Sequence, residues 1–171
     1  MKRIASLIVP TVLIGIVLML TSCGGGGGGS ANDTADNSHM FGTFMGTFLS
    51  HPEGSQDLRS DPHFSFHVGN DMSRITEVLY IYMPIDANEF TYSQEYERNG
   101  TVTTFSYNAN STDNSITWER KYKQNGVVDT MIEEGNITFN SDFVTGSIRG
   151  SVFTIADDVK IIFQMDDMIK Q

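Results

Sequence analysis

The sequence predicts an all-β protein, folded as a single antiparallel up-and-down β-barrel of about eight strands. From residue 40 onward, apolar and polar residues alternate with a period of two. Turn-forming residues recur about every 8–12 positions, as in meanders. Two Asn-Gly pairs, at 99–100 and 125–126, each separate two alternating runs. A long meander exposes two edges unless it closes, which favours a barrel over the alternative, a two-sheet β-sandwich.

The expected strands follow one another with short connections. We place them near 40–49, 63–68, 75–83, 90–98, 101–109, 115–123, 127–134, 136–140, 143–155 and 159–165. Four glycines lie near the two ends of this region: Gly42, Gly46, Gly146 and Gly150. Glycine permits sharp strand bending, so these positions are where the sheet would curve to close.

The register of the first hairpin can be predicted from its alternation. Taking Asn99-Gly100 as a two-residue loop pairs Tyr92 with Tyr107 and Tyr96 with Thr103. Aromatic residues then share one face and mostly polar residues the other, whereas a three-residue loop mixes the faces. The pattern therefore predicts a type I′ turn, in which both loop residues have positive φ.

The second Asn-Gly pair gives a cleaner separation with a three-residue loop, 124–126. That register pairs Trp118 with Ile132 and Tyr122 with Val128, and sets Lys121 opposite Asp129. It predicts a type I turn in which only Gly126 is left-handed. Trp118 and Tyr122 then face the core, while Glu119 and Lys121 face water.

The first 22 residues have the layout of a secretory signal. Lys2 and Arg3 precede an apolar run, 4–20, that ends in small residues. A membrane span needs about 20 apolar residues, so the run is marginal as a span and typical of an export signal. No later stretch approaches that length.

The single cysteine of the chain, Cys23, follows Leu20-Thr21-Ser22 directly. An aliphatic residue, two small residues and a cysteine at the end of an apolar run resemble the lipobox of bacterial lipoproteins. The resemblance implies that Cys23 is acylated, that residues 1–22 are removed, and that the chain is held in the bilayer by several acyl chains, which anchor stably. Because Gly24 follows the cysteine where aspartate commonly marks inner-membrane retention, it also implies an outer-membrane location.

The segment from Cys23 to residue 39 reads as a tether. Gly24–Gly29 and the small polar residues after them contain no large apolar side chain, so they cannot offset the entropy of ordering. Residues 24–38 would span about 20–25 Å on average. The expected organisation is thus 1–22 signal peptide, 23–39 lipidated cysteine and tether, and 40–171 β domain.

The charge balance excludes some partners. The chain has 11 basic and 21 acidic residues, and removal of Lys2 and Arg3 leaves 9 against 21, a formal charge of −12. Such a field repels nucleic acid and anionic lipid surfaces and favours basic partners.

Two stretches of the β domain resemble known barrels. The run "FGTFMGTF" at 41–48 is similar to the opening of lipocalin-like barrels, with Phe44 and Phe48 where tryptophan is usual. The run "NITFNSDFVTGSIRG" at 136–150 looks like a strand-turn-strand near the end of the barrels of transferrin-binding and factor-H-binding lipoproteins. Both resemblances imply a barrel lipoprotein, and neither implies a ligand.

No pattern of residues predicts catalysis, a metal site or a cofactor. The nucleophile-elbow, zinc-protease and phosphate-loop motifs are missing. His63 and His67 lie about 13 Å apart on one strand at ~3.3 Å per residue, too far to share a metal. Glu95 and Glu97 fall on the wet face of their hairpin.

The aromatic face is the most informative feature for function. We expect a tethered binding module for a protein partner at the cell envelope or surface, and not an enzyme. The alternative is a lipocalin-like carrier of a small apolar ligand, held inside the barrel by an aromatic pocket that includes Arg120. An envelope hydrolase is the less favoured reading. The residues expected to line that pocket are Tyr92, Tyr96, Tyr107, Trp118 and Tyr122.

Overall fold

A computed structural model of the chain describes residues 35–171 except Val127, with the backbone alone at Val128 and Asp129. Cys23, the signal segment and the tether up to residue 34 lie outside the described residues. The strands of the described part are β1 (Gly42–Pro52), β2 (Arg59–Gly69), β3 (Tyr80–Tyr82), β4 (Glu89–Arg98), β5 (Thr101–Thr112), β6 (Ser115–Gln124), β7 (Val128–Phe139), β8 (Thr145–Thr154) and β9 (Val159–Lys170). Short 3₁₀ turns occupy Asn37–Met40, Met72–Arg74 and Ile155–Asp157.

All nine strands belong to one sheet, in the order β3-β2-β1-β9-β8-β7-β6-β5-β4. The all-β prediction is confirmed, and the meander from β4 to β9 is antiparallel throughout. The sheet is mixed, because β3 runs parallel to β2. It is neither a closed eight-stranded barrel nor a two-sheet sandwich, since no ladder joins β3 to β4.

Of the strand expected at 75–83, only the three residues Tyr80–Tyr82 form a strand. The chain makes a 3₁₀ turn and further turns before it reaches Tyr80–Tyr82. We call residues 70–88, which contain this short strand, the strap. At the other side of the sheet, the two strands expected at 127–134 and 136–140 are one continuous strand, β7.

The first hairpin forms as predicted. Tyr92 pairs with Tyr107 and Tyr96 with Thr103. Asn99 and Gly100 have φ of 53° and 77°, both positive, as a type I′ turn requires.

The predicted register of the second hairpin is wrong. Gln124 pairs with Val128, and the register shifts between Tyr122 and Lys123, so that Trp118 faces Gly135 and Tyr122 faces Met131. The expected pairs of Trp118 with Ile132, Tyr122 with Val128 and Lys121 with Asp129 do not form. Because Gln124 pairs with Val128, the partner of Trp118 already moves by two residues relative to the prediction. The irregularity between Tyr122 and Lys123 moves it by one more, which exchanges the two faces of β7.

The turn itself also differs from the prediction. Asn125 as well as Gly126 has positive φ, at 51° and 68°, whereas only Gly126 was expected to be left-handed. The shifted register moves Ile132 opposite Lys121 on the outer face. Glu133 moves opposite Arg120 on the core face, which is the change with the largest consequence.

The sheet curls around one apolar core. Phe44 of β1 packs against Phe139 of β7, with ring centroids 5.5 Å apart, although β9 and β8 lie between these strands in the ladder. The register shifts at Gly46 in β1 and at Gly146 in β8, two of the glycines expected to permit bending. Bulges bend a strand and increase its twist, which accounts for the curl.

The described fold begins upstream of the boundary expected at Met40. Asn37 is buried, and its side-chain amide donates to the carbonyls of Pro84 (2.8 Å) and Ala87 (2.9 Å) at the end of the strap. Among the residues that the structure describes, no helix is long and apolar enough to cross a bilayer.

Candidate binding surfaces

The predicted aromatic face exists and is continuous. Tyr107 and Trp118 are buried at 0% and 4% exposure, and Glu119 beside them faces outward as expected. Tyr122 and Tyr92 are partly buried, each packed against Phe105. Tyr96 is the exception, since it is exposed near the end of β4.

The tyrosine hydroxyls on this face are directed at the strap. Tyr107 Oη donates to the carbonyl of Tyr82 at 2.8 Å, and Tyr122 Oη lies 3.5 Å from the carbonyl of Thr76. Burial raises the pKa of both phenols, Tyr107 most strongly. Both therefore stay protonated and able to donate at physiological pH.

A charged pair lies among these aromatic side chains. Arg120 Nη1 is 3.1 Å from Glu133 Oε1, with both side chains almost wholly buried. The same Glu133 oxygen accepts the Trp118 indole N–H at 2.8 Å. Charges removed from water must be paired and hydrogen-bonded, and Glu133 meets that requirement with two donors.

Arg120 also reaches the strap. Its guanidinium donates to the carbonyl of Val78 at 3.1 Å and to the carbonyl of Tyr80. Together with the two tyrosines, side chains of β5 and β6 thus meet the carbonyls of four alternate strap residues, Thr76, Val78, Tyr80 and Tyr82. These carbonyls point away from β2, where Leu79 accepts from His67. Side chains therefore hold the strap where the backbone ladder is open.

Arg120 was expected on the aromatic face, whereas Glu133 was not, because the predicted pairing of Trp118 with Ile132 directed Glu133 to the outer face. A signal was present: an arginine between two core-facing aromatic residues needs a buried acceptor. The observed register places Glu133 opposite Arg120, two residues along β6 from Trp118.

The concave side of the sheet is consequently filled rather than open among the residues expected to bind a ligand. Tyr107, Trp118 and Arg120 have 4% exposure or less. Within the described part of the chain, their side-chain polar atoms are hydrogen-bonded to the strap or to Glu133, except Arg120 Nε, which has no partner there.

A broad groove of about 760 Å³ lies instead on the outer face, crossing β4 to β9. Its outward side chains are mostly amides, hydroxyls and charged groups. They include Glu89, Thr91, Asn108, Asn110, Thr117, Glu119, Glu134, Asn136, Arg149, Ser151 and Lys160. The two basic groups already have acidic neighbours, since Arg149 contacts Asp166 and Lys160 contacts Glu53. Three acidic side chains also line the groove, Glu89, Glu119 and Glu134, of which Glu119 is paired with Lys121 at 2.9 Å. The groove is therefore suited to polar or basic groups near Glu89 and Glu134.

The second exposed feature is the free edge of β4. This strand pairs with β5 alone, and all residues from Ser93 to Arg98 are exposed. Exposed apolar side chains also lie on the strap, with Val78 at 63% and Leu79 at 47% exposure. A long uncovered edge is a template for pairing with another chain.

The histidines and carboxylates singled out in the sequence do not converge. His67 stacks on Tyr80, and burial, assisted by Arg74, lowers its pKa. Glu95 and Glu97 are exposed, and Glu95 accepts a bond from Thr104. Across the described part of the chain, no three histidine, cysteine or acidic residues are grouped to hold a metal.

Comparison with protein-family models, with curated proteins and with solved structures finds no match to this chain.

Proposed function

We propose that this protein is an outer-membrane lipoprotein, anchored through acylated Cys23, whose tethered β domain binds a protein partner at the cell envelope or surface. The anchor is supported by the lipobox-like residues Leu20–Cys23 at the end of the apolar run. The glycine run after Cys23 would hold the domain clear of the lipid headgroups.

One observation favours a protein partner over a small apolar ligand. The side chains expected to line a ligand pocket fill the concave side themselves, since Tyr107 and Trp118 are buried and hydrogen-bonded. The groove and the uncovered β4 edge, by contrast, face outward. A carrier needs a cavity that encloses its ligand, whereas a protein partner needs an exposed surface.

The anchor is tested by expressing the full chain in a Gram-negative host with labelled palmitate. We expect the label in the protein and the protein in the outer-membrane fraction. Cys23→Ala removes the thiol that accepts the lipid, so both should be lost while the β domain keeps its circular dichroism spectrum. Labelled Cys23→Ala, or unlabelled wild type, would refute the anchor.

The binding surface is tested with a photo-crosslinking residue at Asn136 in the groove or at Ser93 on β4, and at exposed His63 on β2 as the control. A discrete protein adduct from the groove or edge position, and none from His63, is expected. Saturable, one-to-one binding of the apolar dye N-phenyl-1-naphthylamine would favour the carrier instead. The absence of any adduct would count against a protein partner.

A further inference from the structure

We infer that the free edge of β4 is a docking site for an extended strand that alternates basic and apolar side chains. The inference rests on the proposed protein-binding function and names the surface and the chemistry of the partner. The docked strand would add to the sheet next to β4, on the side where the ladder is open.

The backbone of β4 is open to pairing on one side. In an antiparallel ladder, every second residue of an edge strand directs its N–H and C=O away from its neighbour. No backbone hydrogen bond to residues 89–98 comes from any described segment other than β5. Strands are usually about five or six residues long, so this ten-residue edge is long enough to pair with a whole strand.

The outer face of β4 is acidic. That face carries Glu89 at one end, Thr91 and Ser93 in the middle, and Glu95 and Glu97 at the other end, and all five are exposed. A strand added beside them would place its own alternate side chains opposite, within reach of cross-strand pairing. Basic side chains fit these positions, and the overall negative charge of the chain would speed their encounter.

The opposite face of β4 carries aromatic side chains. Tyr92 and Tyr96 lie there, and Tyr96 is 39% exposed, while Gln94 and Arg98 are the polar residues of the same face. Tyr96 lies close enough to Tyr122 to help raise its pKa, and the Tyr122 hydroxyl approaches the strap at Thr76. The strap residues that follow Thr76 expose Val78 and Leu79. Apolar side chains of an added strand would cover this surface.

A second copy of the chain fits this edge poorly. Antiparallel self-pairing of β4 would bring the glutamates of one copy beside those of the other, since the strand has three glutamates and a single basic residue, Arg98. Like charges on facing strands are destabilising. The charge of β4 therefore disfavours pairing with a second copy of the chain and favours pairing with a basic strand.

The test uses the full lipidated chain in detergent and a synthetic peptide of about eight residues, alternating lysine with valine. Binding is followed by fluorescence anisotropy, and backbone contact by hydrogen exchange. We expect saturable binding that weakens with salt, because exposed charges are screened beyond about 8 Å at physiological ionic strength. The peptide should slow exchange of amides between Thr91 and Glu97.

Two controls separate strand pairing from simple attraction. Glu95→Lys with Glu97→Lys should weaken binding about tenfold or more. Asp57→Lys with Asp157→Lys makes the same charge change at exposed sites in other connections and should leave the affinity within about twofold. Methylating alternate peptide nitrogens should abolish binding for one set, facing β4, and spare the other.

Each contrary result overturns the inference. The inference is wrong if the peptide does not bind, if both lysine double variants lose affinity equally, or if both sets of methylated peptides still bind. It is also wrong if the peptide slows amide exchange elsewhere on the sheet, or if the chain dimerises through β4. The lipid-labelling and crosslinking results do not depend on this peptide. A refuted β4 site with adducts at Asn136 would therefore leave the proposed function standing, whereas absent adducts would refute that function itself.

Discussion

Arg120 connects two separate parts of the fold through its side chain. Its guanidinium joins Glu133 on β7 to two carbonyls of the strap, in a site that excludes water. Lysine could not replace it, because a single ammonium lacks the planar fork that reaches several acceptors at once. The ion pair between Arg120 and Glu133 adds little net stability, but removing one partner would leave the other charge buried without compensation.

We predict that Arg120→Ala destabilises the domain by about 3–5 kcal/mol, because it leaves Glu133 buried without its cation. Arg120→Met combined with Glu133→Leu should recover part of that loss, since no charge then remains buried. The free energies come from urea unfolding, and Arg149→Ala, which removes an exposed ion pair, is the matched control. A double variant as unstable as Arg120→Ala would contradict the explanation.

The left-handed Asn125 gives a second prediction at this scale. Asn125→Ala should cost about 1–2 kcal/mol, because alanine resists positive φ. The substitution also removes the side-chain oxygen that accepts the Val102 N–H at 3.1 Å. Asn125→Gly keeps the backbone conformation and should lose only the hydrogen bond. Equal effects of the two substitutions would show that conformation is not the cause, and thermal unfolding distinguishes them.

Among the elements, the hairpins show what alternation can and cannot predict. The first hairpin was predictable because its turn and both strands are regular, so that Tyr92 and Tyr107 could be paired by counting. The second was not, because a register shift between Tyr122 and Lys123 changes the count beyond the turn. The predicted register directed Glu133 to the outer face, whereas Glu133 accepts hydrogen bonds from Trp118 and Arg120 in the core.

The position of the strap could not be predicted from the sequence for a related cause. Edge strands were expected to pair by backbone bonds, and the strap is instead held by side chains from β5 and β6. No local pattern marks a carbonyl as the acceptor of a distant arginine. Tyr107 and Tyr122, which were predicted to line a ligand site, direct their hydroxyls at carbonyls of the strap, and Trp118 donates to Glu133. The exposed edge of β4 follows from topology alone.

The turn between β7 and β8 should respond to acid. The Asp142 carboxylate accepts the backbone N–H groups of Thr145 (3.0 Å) and Val144 (2.9 Å), and these bonds lower its pKa below the ordinary value of 3.8. A lowered folded pKa means that the stabilisation is complete above the unfolded pKa and is lost as pH falls through the folded one. Phe143 in this turn has positive φ, so the bonds oppose local strain.

We therefore expect Asp142→Asn to be less stable than wild type near neutral pH, with the difference shrinking below about pH 4. Urea unfolding at several pH values measures it. Asp157→Asn, in the turn between β8 and β9, is the control, because no hydrogen bond to its side chain is present in the described turn. A difference that stays constant down to strongly acidic pH would contradict the role of the carboxylate.

For the molecule as a whole, stability should be unevenly distributed. The strap joins the sheet through a three-residue parallel strand, whereas β7 lies between two long antiparallel neighbours. Regions with few backbone bonds open at lower free energy than the global unfolding. Native-state hydrogen exchange should therefore show Ile81 and Tyr82 exchanging before Ile137, and uniform protection of both regions would contradict this expectation.

The start of the folded unit can be tested by limited proteolysis. Because Asn37 is buried and bonded to Pro84 and Ala87, a broad-specificity protease should leave a core that begins before Asn37, with cuts upstream in the glycine-rich segment. Asn37→Ala should move the first residue of the core toward Met40. A wild-type core starting at Met40 would mean that these bonds do not protect the segment.

The position of β1 has a mechanical consequence. The chain enters the sheet through Asn37–Met40 and runs directly into β1, which is hydrogen-bonded to β2 on one side and β9 on the other. Inter-strand bonds lie across the strands, so a pull along β1 loads both ladders together rather than breaking their bonds one by one. A partner pulling sideways on β4 would instead peel a single ladder. If the proposed lipid anchor and protein partner pull on the domain together, the contact at β4 would break before β1 separated from the sheet.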